Sequence, residues 1–238
     1  MDVTRKIDRA LATLRRHGRG RALHEVASRT INMLVTFKIL RGVVVRRPDP
    51  KYLACPANYT AAFLSDDEVR AYARDPGNEL DEAFLREALG KGDACFAIRD
   101  GADLAAYGWY SSKPTRIDPP DLFLRFSPEY VYMYKGFTPA RYRGQRLHAI
   151  GMTLALRHYL GQGYRGLVSY VESTNFDSLK SVFRMGYEAF GSVYVLKAFG
   201  RTFRRSGRGC AAFGFGVGTA PDPGPAAPRP RLSTPERG

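Results

Sequence analysis

Residues 130–199 constrain the architecture more than any other part of the chain. Tyr130-Val131-Tyr132-Met133-Tyr134 concentrates aromatic and β-branched side chains, the composition of a strand. A bend rich in arginine follows, Arg141-Tyr142-Arg143-Gly144-Gln145-Arg146. Leu147, Ile150 and Leu154 then fall on one face of a helix that Gly161 and Gly163 end. Residues 167–171 read as a second strand. Ser173 or Asn175 is placed to cap a further helix running to Met185, with Gly186 stopping it. Residues 192–199 read as a last strand. Alternation of strand, basic bend, helix, strand, helix and strand predicts an α/β (α+β) sheet with the bend at its mouth.

Upstream, Ser65-Asp66-Asp67-Glu68 is a helix start, with serine as cap and acids in the first turn. A second helix is expected over residues 79–89, ended by Gly90 and Gly92. Two apolar runs around Asp100-Gly101, Ala94–Ile98 in the first and Leu104–Tyr110 in the second, predict a β-hairpin. At the N-terminus, Val3, Ile7, Ala10, Leu11 and Leu14 recur at helical spacing among arginines, so a short basic amphipathic helix is expected, and a second one over residues 22–40. Beyond Ser206 the chain is rich in Gly, Pro and Ala and is expected to be a flexible tail. The expected organisation is N-terminal helices over 1–45, one domain over 46–205 and a tail over 206–238.

Charge sharpens this division. The chain carries 37 Lys and Arg against 23 Asp and Glu, a net +14. Residues 1–21 hold seven basic and two acidic side chains, and residues 201–238 hold the same, so each end contributes +5 and the 179 residues between contribute +4. Basic ends can attract an anionic lipid surface, a nucleic acid or a phosphorylated ligand, or can be plain solvated tails. No apolar run reaches the roughly 18 residues of a membrane span. Cys55, Cys95 and Cys210 are odd in number and form no C-x-x-C pair, which supports neither a disulfide framework nor a zinc site and makes a reducing cytoplasm the expected compartment. His17, His24 and His158 have no carboxylate or cysteine at ligand spacing, so no metal is expected.

The bend has a chemistry of its own. Helix N-termini expose unpaired N–H groups that bind anions, and a glycine lets a phosphate approach the backbone. Three guanidinium groups there can each fork onto phosphate oxygens. A phosphate-bearing ligand at the mouth of the sheet is the direct expectation.

Four stretches together resemble the GNAT acyltransferase superfamily: 130–138, Tyr142-Arg143-Gly144-Gln145-Arg146-Leu147-His148, Val171-Glu172-Ser173-Thr174-Asn175, and Phe183-Arg184-Met185-Gly186-Tyr187. In that family a strand runs into an R-G-x-G-φ-G/A turn and a helix, a second strand ends in V-x-x-x-N, and the next helix ends in a G-F or G-Y step. The resemblance covers about residues 93–200. It implies a mixed sheet, flanked by helices, that splays between the Tyr130 strand and the Leu167 strand. It also implies acetyl-CoA, or another acyl-CoA, as co-substrate in that splay. The pantetheine arm would lie along backbone at Gly136, Phe137 and Thr138, and the pyrophosphate on Arg141, Arg143, Gly144, Gln145, Arg146, Leu147 and His148. Asn175 and Ser178 would flank the pantetheine. Two positions depart from the family pattern. Arg146 and His148 stand where small residues are usual, and Val182 stands where many members carry a tyrosine that protonates the leaving thiolate.

The resemblance implies direct acyl transfer from the thioester to an amine, small molecule or peptide, with no covalent enzyme intermediate. Thiolate leaves readily near neutral pH, its thiol having a pKa of about 8.5. Glu172, at the end of a strand just before Asn175, is the candidate base. Tyr132 and Tyr134 alternate onto one sheet face, where they can position substrate, replace the missing proton donor or simply fill the core. Two other readings stay open. In one, the donor is a long acyl chain on a carrier protein at a membrane surface, met through residues 1–21. In the other, the fold is a non-catalytic CoA-fold module whose basic tails bind nucleic acid or anionic polymer; outside that last reading, nucleic acid is not an expected partner.

Overall fold

In the computed structural model, residues 35–117 and 122–219 are described, with Gly20, His24 and Ala27; the expected basic helix over residues 1–21 lies outside this set apart from Gly20. Among the described residues, eleven strands and four α-helices follow in chain order. They are β1 Thr36–Val45, β2 Thr60–Phe63, α1 Asp66–Tyr72, α2 Glu82–Lys91, β3 Ala94–Asp100, β4 Asp103–Ser111, β5 Thr115–Ile117, β6 Leu122–Arg125, β7 Val131–Phe137, α3 Leu147–Gly161, β8 Leu167–Glu172, α4 Phe176–Arg184, β9 Glu188–Ala198, β10 Arg201–Ser206 and β11 Gly216–Gly218. No described helix is long and apolar enough to cross a membrane.

The main sheet has the order β10-β9-β1-β8-β7-β4-β3-β2, and a small second sheet has the order β11-β6-β5. All neighbours in the main sheet run antiparallel except β7 and β8. Alternation along β7 assigns its two faces. Val131 and Met133 enter the core under α3, with Leu147, Ile150 and Leu156, whereas Tyr132 joins Leu122, Leu124, Val168 and Val193 on the opposite face. On that opposite face, α1 and α2 cover β3 and β4 through Val69, Leu85, Trp109 and Leu104.

Local signals set several boundaries where the sequence places them. Ser65 accepts from Glu68 N–H while the Glu68 carboxylate accepts from Ser65 N–H, a complete capping box on α1. Asn175, not Ser173, caps α4, its Oδ1 accepting from Ser178 N–H at 3.1 Å. The hairpin around Asp100-Gly101 forms as expected, with Gly101 at φ 58°.

Two expectations are corrected. Residues 36–40 are the first half of strand β1 and not the end of a helix. β1 pairs with β8 and β9 on its two edges, and its C-terminal half feeds both cores, Val43 and Val45 one and Leu40 and Val44 the other, an apolar pattern that does not separate a central strand from a buried helix. Nor does the fold stop at residue 205. A 3-10 segment at Arg208–Phe213 and strand β11 return to the second sheet, burying Cys210 and Phe215 completely or nearly so. The return depends on glycine: a Cβ at Gly209 would collide with the Phe190 carbonyl.

Candidate active site

The site forms where β7 and β8 part. They pair in parallel only at Val131 with Leu167 and Tyr132 with Val168. Beyond those two pairs β7 runs on to Phe137 and β8 to Glu172 without bonding, which leaves a wedge open toward their C-terminal ends. Opposite the wedge, one residue of β4, Gly108, faces two of β7, Lys135 and Gly136, since Tyr107 pairs with Phe137 and Trp109 with Tyr134. The extra residue is a bulge, and Lys135 takes a φ of 43° there. Such a bulge bends the strand and re-aims the backbone groups beside it.

The bend after β7 folds into a 3-10 turn at Ala140–Tyr142, passes Gly144 at φ 84° and enters α3 through Arg146 at φ 63°. Arg146 is the N-cap and makes no side-chain capping bond. The first amides of α3, at Leu147, His148 and Ala149, therefore lack intrahelical acceptors and present the positive end of a fifteen-residue helix. A cavity of about 600 Å³ lies over this terminus. Its lining includes Lys51, Arg143, Arg146 and Arg184, with hydroxyls from Thr138 and Ser181 and no carboxylate. The Arg143 Nε donates to Thr138 O at 3.2 Å, so that guanidinium is already oriented.

The expected pyrophosphate residues divide. Arg143, Gly144, Arg146, Leu147 and His148 line the cavity together, joined by Thr138 from the expected pantetheine stretch. Arg141 turns instead to Asp103 at 3.2 Å, and Gln145 accepts from the Tyr59 hydroxyl at 2.6 Å. His148 lines the cavity but is half-buried, its ring against Gly136 of β7, and burial lowers its pKa from the usual 6.5. Phe137 packs on Tyr107 at 5.6 Å. Asn175 Oδ1 and the Ser178 amide are bonded to each other in the α4 cap.

The expected catalytic side chains lie on the other face of the wedge. Tyr132 stacks on Tyr134 and on Tyr170 of β8, at centroid distances of 5.4 and 6.3 Å. Burial raises the pKa of Tyr132 and Tyr134 well above the normal phenol value, so both keep their protons and act as donors rather than bases. Tyr134 donates to Asp93, whose carboxylate also takes Lys91 Nζ at 2.9 Å. Desolvation lowers the Lys91 pKa against the opposing pull of Asp93. Glu172 is paired with Lys38 at 2.9 Å and remains 39% exposed. Val182 packs against the α3-side core. No metal-holding group of three His, Cys, Asp or Glu occurs among the described residues.

Sequence reasoning missed Lys51, Ser181 and Arg184 in the cavity, and Lys38, Lys91 and Asp93 beside the candidate catalytic groups. Arg184 lies inside a quoted stretch, but its charge carried no separate signal. Lys51 reaches the bend from nearly a hundred residues away, and no local pattern reports that approach.

Comparison with known protein families and with curated proteins gives no match. Among solved structures, the chain is similar to a GCN5-related N-acetyltransferase from Kribbella flavida, with TM-score 0.46, 17% identity, and coverage of 79% of this chain and 66% of that one. An acetyltransferase of the GNAT family from Colwellia psychrerythraea gives TM-score 0.46 and 16% identity over 68% of this chain and 57% of that one. A GNAT-family structure from Novosphingobium aromaticivorans gives the same TM-score and identity over 65% of this chain. The chain spans 61% of the length of that last protein, less than two thirds. The mixed sheet is flanked by helices and opens between β7 and β8, as the sequence resemblance implied.

Proposed function

We propose that this protein is an acyl-CoA-dependent N-acyltransferase, with acetyl-CoA as the first donor to test and a small-molecule or peptide amine as acceptor. The observation that carries the reading is the parting of β7 from β8 beside a cavity with four cations and an uncapped helix terminus. The residues present fit a diphosphate. Arg143, Arg146 and Arg184 supply charge, Lys51 adds a fourth cation that is itself paired with Asp49 at 2.6 Å, and the α3 amides supply backbone donors.

The bound donor supplies an acyl group on a good leaving thiolate. The chain's own groups then do three things in this reading. Backbone amides re-aimed by the β7 bulge hold the acyl oxygen, an effect worth about 3 kcal/mol per donor in acyl transfer. Glu172 takes a proton from the acceptor amine, directly or through water, with Lys38 fixing its carboxylate. Tyr132, kept protonated by burial, has a hydroxyl that can donate a hydrogen bond beside β8, whereas the Tyr134 hydroxyl is committed to Asp93. Val182 has no hydroxyl, so any proton for the leaving thiolate comes from elsewhere on the wedge.

Calorimetric titration with acetyl-CoA and desulfo-CoA tests the reading. Saturable binding of both supports it, and no binding at millimolar ligand defeats it.

A further inference from the structure

We propose a second functional surface, independent of the acyl-transfer reading: the β9–β10 hairpin docks the protein on an anionic lipid bilayer, with Phe199 leading. Four large apolar side chains are exposed among the described residues: Phe199 fully, Phe203 at 56%, Phe183 at 44% and Tyr194 at 42%. Strand register brings Phe203 and Tyr194 to one side of the sheet. Ala198 pairs with Arg201, Leu196 with Phe203 and Tyr194 with Arg205, so these six residues share a face, while Val193 and Val195 point into the core behind it. Ser192 and Tyr194 line a cavity of about 780 Å³ together with Phe183 of α4, which places that face on the α4 side.

Arg41 and Lys180 line the same cavity, with Arg184 shared with the donor cavity, and none of its lining residues is a carboxylate. Arg201 and Arg205 flank Phe203 and are exposed. The one acid of the hairpin, Glu188, sits at the end away from the tip and is paired with Arg46. Phe199 and Gly200 form the tip in left-handed conformations, φ 51° and 73°. A phenylalanine held with positive φ and complete exposure gains nothing from the fold that holds it.

The order of chemistry along the hairpin matches the depth profile of a membrane surface. The apex is apolar, and the first cation, Arg201, stands in the first strand pair behind the two-residue tip, about 3.4 Å back at the strand rise. An interfacial segment buries its apolar part about 5–10 Å into the boundary between headgroups and acyl chains, which leaves Arg201 among the lipid phosphates. A nucleic-acid reader would place cations at the apex, where phosphates are met first. Charge complementarity and the apolar tip therefore favour anionic lipid over a polynucleotide.

Co-sedimentation of the full chain with vesicles of phosphatidylcholine, and of phosphatidylcholine mixed with phosphatidylglycerol, tests the proposal. The wild-type chain is expected to partition onto the mixed vesicles only, less so at high salt. Phe199→Ser with Phe203→Ser should lower that partition by tenfold or more, and Arg201→Gln with Arg205→Gln by about tenfold, with thermal midpoints unchanged as the check on folding. The proposal is overturned if the wild type ignores the mixed vesicles, or if either double variant partitions as the wild type does. DNA binding, or a dimer buried through this hairpin, in place of vesicle binding would overturn it equally.

Discussion

Gly136 and His148 form a contact whose removal tests how β7 and α3 shape the proposed donor site. A Cβ added at Gly136 would lie 3.0 Å from His148 Nε2, 3.1 Å from Nδ1 and nearer still to Cε1. Ordinary heavy-atom contacts sit at about 3.5–4.0 Å, so the ring would have to retreat by more than about half an ångström. It has little room, since the gap beyond it is walled by Tyr107, Gly108, Gly151 and Met152. Overpacking of this kind costs about 1–3 kcal/mol. At about 2–4 °C per kcal/mol for a chain of this size, Gly136→Ala should lower the thermal midpoint by about 2–12 °C. The decisive form is a double-mutant cycle read by urea unfolding. His148→Ala removes the obstacle, so the double variant should be less destabilised than the sum of the singles by about 1 kcal/mol or more. Additive singles, or a Gly136→Ala protein as stable as the wild type, would refute the contact.

Two further outcomes follow from the same region. Burial lowers the folded-state pKa of His148 below 6.5, so below pH 6.5 the unfolded chain takes a proton that the folded chain refuses. Stability should therefore fall as pH drops from 6.5 toward the folded pKa, with a limiting slope near 1.4 kcal/mol per pH unit from this residue. The His148→Gln protein should lose that component in a pH series of urea unfolding; an unchanged profile contradicts the assignment. Tyr134→Phe removes a donor from the nearly inaccessible Asp93 carboxylate while Lys91 stays, and should cost about 1–3 kcal/mol in urea unfolding; a loss under about 0.5 kcal/mol would show that the hydroxyl contributes no net stability.

Much of the fold was legible because its signals are local. Ser65 and Asn175 each cap the helix that begins beside them, Asp100-Gly101 turns the hairpin it sits in, and the aromatic run at residues 130–134 becomes part of β7 and its approach. The bend was legible for the same reason, since Arg143, Gly144 and Arg146 stand next to the helix terminus they decorate. What escaped was set at long range. β1 reads as helix or strand from its own residues, and its partners β8 and β9 lie more than a hundred residues away. The segment at 208–218 has little periodicity, and two side chains, Cys210 and Phe215, hold it to the core. Lys51 and Arg184 converge on the bend from opposite ends of the chain, and Arg141 and Gln145 leave it for Asp103 and Tyr59. Adjacent residues in a turn can point to different partners, and composition does not separate them.

The central claim is that the basic bend entering α3 holds a diphosphate. Comparing acetyl-CoA affinity by calorimetry between the wild type and Arg143→Ala tests it most directly. A charge-assisted hydrogen bond is worth about 1.5–3 kcal/mol, so the variant should bind about 10- to 150-fold more weakly. Equal affinity in the two proteins would contradict the account.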